Sequence, residues 1–168
     1  MQLLLIRHAI AEERTDFAVT GKNDAERPLT DYGRRRMAKN ARGLRRVAPK
    51  VDLLVTSPYA RARETARIVG NTLGIRSATD VGALTPERHP KDFFAWLATQ
   101  GENATVAAVG HEPNISRLLM WALAQDAESR SEFKKGGVAL IEFDGAAKAG
   151  TGMLRWLLTP AQLRSIAD

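Results

Sequence analysis

Three short apolar runs, Gln2–Ile6, Val51–Thr56 and Ala104–Val109, constrain this chain more than any other feature. None has helical periodicity, and each is followed at once by polar residues: Arg7-His8, Ser57 and Gly110-His111. Runs that stay apolar at successive positions read as strands buried on both faces, as in a parallel sheet covered by helices on each side. In such sheets, ligands bind at the carboxyl ends of the strands. A guanidinium and an imidazole at that edge are costly to desolvate unless an anion meets them.

The segments between the runs fit the same plan. Glu12–Glu26 is polar and reads as a loop leading into Arg27-Pro28-Leu29-Thr30, where Thr30 can cap a helix over Asp31–Val47. Gly33 and Gly43 weaken that helix intrinsically. A second helix is expected over Ala60–Leu73, stopped near Gly74. Arg76–Ala83 reads as a short strand, Pro86–Pro90 as a loop and Asp92–Gln100 as a helix packed through Phe93, Phe94, Trp96 and Leu97. Pro113 suits the first turn of a helix continuing over Ile115–Leu123. Gly137–Phe143 and Gly152–Leu158, joined by the turn-rich Asp144–Thr151, form an edge hairpin, and Pro160–Ala167 a closing helix. The expected fold is a single α/β domain over residues 1–168, a three-layer αβα sandwich with a mostly parallel sheet and a C-terminal edge hairpin.

Composition removes several function classes. No apolar run approaches the ~20 residues of a membrane span, and the absence of cysteine removes disulfides, thiolate metal sites and a cysteine nucleophile. With no secretory pattern visible at Met1, a cytoplasmic location is expected. The net charge of +6 is concentrated at Arg34, Arg35, Arg36, Lys39, Arg42, Arg45, Arg46 and Lys50. Such a face either keeps a basic protein solvated or meets an anionic partner. Nucleic acid is the weaker choice of partner, since no nucleic-acid motif or set of stacking aromatics accompanies the charge.

If the three runs are neighbours, His8, His111, Arg7 and Arg61 converge on one pocket. Forked guanidinium donors are what a transferring phosphoryl group requires. Here the chain resembles a known family. Arg7-His8-Ala9 is similar to the Arg-His-Gly signature of the histidine phosphatase (phosphoglycerate-mutase-like) superfamily, with Ala9 in place of glycine. Thr56–Ala66 (TSPYARARETA) resembles its Ser-Pro-x-x-Arg-Ala-x-x-Thr-Ala segment, and Gly110-His111 its second histidine. The Arg27–Thr30, Leu84–Pro86 and Gly110–Pro113 segments resemble the small SixA-like phosphohistidine phosphatases within that superfamily.

The resemblance implies a phosphoglycerate-mutase-like fold and a metal-independent phosphatase with no cofactor. His8 is then the nucleophile that forms a phosphohistidine intermediate, with its other ring nitrogen on a backbone acceptor. Arg7 and Arg61 bind the phosphoryl oxygens, His111 donates to them as an imidazolium, and Ser57 adds a hydroxyl or caps its turn. Larger family members carry a glutamate acid on an inserted loop for which this chain has little room; Glu87 is the candidate here, against the plainer reading of an exposed carboxylate. Asp24, Glu12 and Glu13 either order the arginines or touch substrate. The expected substrate is a phosphohistidine-bearing protein. The alternatives are a small phosphorylated metabolite and a phosphate-binding module with weak turnover.

Overall fold

The computed structural model covers residues 1–168 and arranges six strands in one sheet. They are β1 (Gln2–Arg7), β2 (Leu53–Thr56), β3 (Thr79–Asp80), β4 (Thr105–Gly110), β5 (Val138–Glu142) and β6 (Met153–Leu158), in the order β3-β2-β4-β1-β5-β6. β1, β4, β2 and β3 pair in parallel, whereas β5 is antiparallel to both of its neighbours. The helices are α1 (Arg14–Ala18), α2 (Asp31–Val47), α3 (Ala60–Leu73), α4 (Pro90–Leu97), α5 (Asn114–Ala124) and α6 (Pro160–Ala167). None of them is long and apolar enough to cross a membrane.

Alternation along β1 divides the interior. Leu3 and Leu5 join Val106, Ala108 and Ile141 under α4 and α5, in a core that includes Phe93, Leu97, Ile115 and Leu118. Leu4 and Ile6 point the other way, toward α2, α3 and α6, where Met37, Leu44, Ala62, Val69 and Leu163 meet them. All four β1 side chains are fully buried, each stabilising the fold by about 1.5–3 kcal/mol. This is the expected three-layer sandwich with the hairpin strand β6 at one edge.

The boundaries of α2, α3 and α6 coincide with those read from sequence, and their ends show why. Thr30 accepts from the Gly33 amide, Gly74 ends α3 at a φ of 77°, and Thr159 with Gln162 forms a capping box ahead of α6. Elsewhere the structure differs. α4 starts at Pro90 because His89 Nδ1 accepts from the Lys91 amide. Arg76–Ala83 is mostly not strand; only Thr79–Asp80 pairs, beside β2. The Glu12–Glu26 loop holds α1 and a 3-10 turn at Asp24–Glu26 closed by an Asn23–Glu26 capping box, elements too short to carry periodicity.

The two α2 glycines, unfavourable by propensity, are sites of close approach. A Cβ on Gly33 would stand 2.0 Å from the Ile10 carbonyl oxygen, and one on Gly43 1.7 Å from that of Leu163. α2 therefore lies directly on the turn that follows His8 and on α6. Gly43→Ala raises intrinsic helix propensity by about 1 kcal/mol, yet backbone must move to admit the methyl. The expected outcome is net destabilisation of about 1–3 kcal/mol, read as a lower urea midpoint; an unchanged or higher midpoint would show that α6 is not seated on Gly43.

Candidate active site

Strand register assembles the site. Arg7 pairs with Gly110 and Thr56 with Val109, so the residues that follow (His8, His111 and Ser57) leave three adjacent strands at one level. The His8 amide donates to the Gly110 carbonyl at 2.9 Å and the Ser57 amide to the Val109 carbonyl at 2.9 Å, which extends the ladder by one rung on each side. The His8 and His111 rings lie 5.0 Å apart between centroids. Arg61, in the first turn of α3, reaches the same edge and is only 2% exposed. Together Arg7, His8, Arg61 and His111 line a cavity of about 230 Å³, with Arg14, Arg27 and Lys135 adding positive charge, Glu13 and Glu112 negative charge, and Pro86 part of the wall.

His8 Nδ1 lies 2.7 Å from the carbonyl oxygen of Ala9. A carbonyl only accepts, so Nδ1 carries the hydrogen and Nε2 keeps its lone pair. The turn is fixed from α3: the Ala9 amide donates to Thr65 Oγ1 at 3.0 Å, and that hydroxyl donates to the Arg61 carbonyl at 2.7 Å. Thr65 thus ties the histidine turn to the arginine helix. Burial pushes the His8 imidazole down to about 3, with Arg61, Arg7 and Arg27 adding to the effect against the Ala9 hydrogen bond.

His111 Nε2 lies 2.8 Å from Ser57 Oγ, and the Tyr59 ring stands 5.1 Å from the imidazole. Burial, then His8 and the guanidiniums of Arg61, Arg27 and Arg7, bring His111 down to about 2. The imidazolium expected from sequence is therefore not the form that the protein groups favour by themselves; a phosphoryl dianion has to supply the opposing field. Ser57 contacts His111 directly and also accepts weakly from the Tyr59 amide at 3.4 Å; the second contact is the turn cap expected of it, while the first sets it behind His111, outside the residues that line the cavity.

Of the three first-loop carboxylates singled out from sequence, Asp24 is the one that pairs with the arginines. Arg61 donates to the Asp24 backbone carbonyl at 2.8 Å and pairs with its carboxylate at 3.1 Å. The same carboxylate receives Arg27 Nε at 2.8 Å and faces Arg14 at 3.6 Å. Burial alone would raise the Asp24 carboxyl, but the Arg27 hydrogen bond and the charges of Arg61, Arg27 and Arg14 outweigh it and hold the group below its usual range. Arg7 donates to the Phe133 carbonyl, and Glu112 fixes that strand entry by accepting from the Phe133 amide at 2.8 Å and Ser116 Oγ at 2.6 Å. Asp24 sits 37 residues from Arg61, and no spacing rule connects them.

Glu87 is not brought to the cavity. Asn114 Nδ2 anchors the preceding turn through the carbonyls of Thr85 (2.8 Å) and Ala83 (3.2 Å), so Pro86 faces the pocket while Glu87 is exposed. His89 is likewise exposed, edge-on to Trp121 with ring centroids 5.1 Å apart.

With this geometry in hand, comparison with known proteins is informative. The sequence model of the histidine phosphatase superfamily (branch 1) matches residues 3–82. An uncharacterized protein of Picosynechococcus sp. is 35% identical over 127 residues, 74% of this chain and 72% of that one. Phosphohistidine phosphatase SixA of Escherichia coli K12 is 27% identical over 98% of this chain and 97% of its own length. The solved structure of the protein histidine phosphatase SixA complexed with tungstate superposes with a TM-score of 0.82 at 25% identity, covering 97% of this chain and 99% of that one.

The two buried imidazoles give the fold a specific acid sensitivity. Their folded-state values lie below the ordinary 6.5, so below that pH the unfolded chain binds more protons than the folded one. Stability is at its full value above pH ~6.5 and falls as pH drops toward the folded values, by up to about 1.4 kcal/mol per pH unit for each histidine. Urea midpoints between pH 6.5 and 5, where carboxylates remain ionised, should fall more steeply in the unaltered chain than in a His8→Asn/His111→Asn variant. Equal slopes would place the proton uptake elsewhere.

Proposed function

This chain belongs to the histidine phosphatase superfamily and is a phosphatase, and from that premise we propose that its reaction runs through a covalent phosphohistidine on His8, with a phosphohistidine-bearing protein as substrate. The observation that carries the proposal is the His8 hydrogen bond to the Ala9 carbonyl: it leaves an unprotonated Nε2 facing a cavity lined by Arg7, Arg61 and His111.

In this reading His8 Nε2 attacks phosphorus while the bond to the substrate's imidazole nitrogen breaks; the substrate ring, protonated from solvent at its other nitrogen, takes the electron pair and leaves as neutral imidazole. Arg7 and Arg61 hold the equatorial oxygens and offset the charge that spreads over them. His111, drawn toward its protonated form by the dianion, donates to the same oxygens, and Ser57 keeps its ring oriented. Water then attacks the phosphohistidine, releasing inorganic phosphate and restoring neutral His8. No step requires a metal.

Two features support a phosphoramidate over a phosphate ester. Glu87, the glutamate proposed as acid from sequence, lies outside the cavity lining. Of the two glutamates that do line it, Glu112 is engaged by the Phe133 amide and the Ser116 hydroxyl and Glu13 is exposed, and a P–N bond to imidazole needs less leaving-group protonation than a P–O bond. The cavity, about 230 Å³, is below the usual ~300–1,000 Å³ of small-molecule sites, which suits a phosphoryl group whose carrier remains outside. The tungstate in the SixA structure is a tetrahedral oxyanion of comparable shape.

The test compares turnover, with chelator present, of a phosphohistidine protein and a panel of phosphorylated metabolites, using His8→Ala as the blank. His8→Ala should lose both turnover and the acid-labile phosphoenzyme, and Arg61→Gln should lower kcat/KM by about 10²–10³. Glu87→Gln should stay near the unaltered rate. Retained phosphatase activity in His8→Ala overturns the mechanism, and turnover confined to a metabolite moves the substrate assignment.

A further inference from the structure

A second, larger concavity opens beside the phosphoryl pocket. Its volume is about 470 Å³, and it lies between α2, the approach to β5 and the start of α6. Arg7 and Lys135 line both cavities. Two residues of the basic face of α2 are engaged inside the molecule. Arg34 is consumed internally by Glu64 and Asp31, each at 2.8 Å, and Arg46 donates to the Ile166 carbonyl at 2.6 Å. Arg36 alone among the basic residues of α2 turns into the groove, opposite Arg164 of α6.

These two guanidiniums and Lys135 form no ion pair, whereas Lys134 on the same wall is paired with Glu132 at 3.1 Å. Arg164 is held in place by a buried group, donating at 2.9 Å to Asn40 Oδ1, and Asn40 is 2% exposed. Burial, with the charge of Arg36 as the next cause, lowers the Arg164 pKa. Like charges positioned together on a rigid wall repel in the protein alone, and an anion bound between them relieves that repulsion.

We infer that this groove seats an acidic segment of the phosphoprotein substrate, with Arg36 and Arg164 contacting its carboxylates while the phosphohistidine enters the adjoining pocket. The inference rests on the phosphohistidine-protein reading given above. The small phosphoryl cavity leaves the carrier outside, and the groove that shares Arg7 and Lys135 with it is where that carrier continues. A polypeptide fits better than a nucleic acid, because no aromatic side chain lines the groove to stack a base and the exposed Tyr32 beside it already has the Arg36 guanidinium over its ring, 5.4 Å from the centroid. Arg36 and Arg164 are thus specificity determinants remote from the reacting atoms.

The test uses three substrates: free phosphohistidine, a histidine-phosphorylated protein with Asp and Glu flanking the modified residue, and that protein with the flanking residues changed to Asn and Gln. The Arg36→Glu/Arg164→Glu variant should lower kcat/KM for the acidic protein by about tenfold or more, chiefly through KM. It should leave free phosphohistidine and the neutralised protein within about twofold. Arg36→Gln and Arg164→Gln, which keep bulk and polarity, should give smaller losses in the same order. The KM of the unaltered chain for the acidic protein should rise with salt, and that of the charge-reversed variant should not. Unchanged turnover of the acidic protein, or an equal loss on free phosphohistidine, overturns the groove assignment. Oligonucleotide competition that disappears in the variant also overturns it, in favour of nucleic acid. Failure of the unaltered chain to hydrolyse either phosphohistidine protein, with phosphorylated metabolites still turned over, overturns the phosphohistidine reading and the groove with it.

Discussion

The register between β1 and β4 is the constraint on which the site depends. β1 is buried on both faces, so a slip of one residue would exchange Leu3 and Leu5 with Leu4 and Ile6 and turn each pair toward the wrong helical layer. Packing therefore pins the last rung, Arg7 opposite Gly110, and the two histidines emerge side by side as a consequence. The same side chains that stabilise the sheet set the spacing of the chemistry.

Electrostatics imposes the second demand. Arg61 is among the largest fully buried side chains, and Arg7, His8 and His111 surround the same small volume. Four cationic groups there would be prohibitive, and the protein meets the cost in two ways. The imidazoles are neutral, and Asp24 offers one carboxylate to three guanidiniums. That carboxylate is placed by a 3-10 turn closed by Asn23 and Glu26, so a surface loop of ordinary appearance carries the counter-charge of the site. Because it neutralises only part of the positive field, the remainder is directed at an oxyanion.

Much of the framework was legible in the sequence because its signals are local. Thr30, Gly74 and the Thr159–Gln162 pair mark helix ends through bonds to residues only a few positions away, and the apolar runs declare β1, β2 and β4. His8, Ser57 and His111, which the fold brings to one edge of the sheet, were legible by where those runs stop. What the sequence concealed depends on contacts between distant segments: Glu112 on the Phe133 amide and Asn40 on Arg164. Asp24 is one of three loop carboxylates that the sequence offers the arginines, and only the fold selects it for Arg61. Gly33 and Gly43 read as weaknesses, since propensity describes an isolated helix and not one lying against another backbone. Glu87 drew attention by its loop, but the turn angle that exposes it is set by Asn114, far along the chain.

The antiparallel course of β5 has a consequence for how the protein matures. Its entry, rather than its exit, reaches the carboxyl edge of β1, so Arg7 is held by a carbonyl 126 residues away. The Gly136 amide meanwhile donates to the Arg7 and His8 carbonyls at 3.1 and 3.2 Å. Each such contact closes a loop of more than a hundred residues, whose entropy must be lost for the contact to exist. Catalytic competence is therefore withheld until the final third of the chain has docked, and turnover reports a completed molecule where helix content or collapse reports only a partial one.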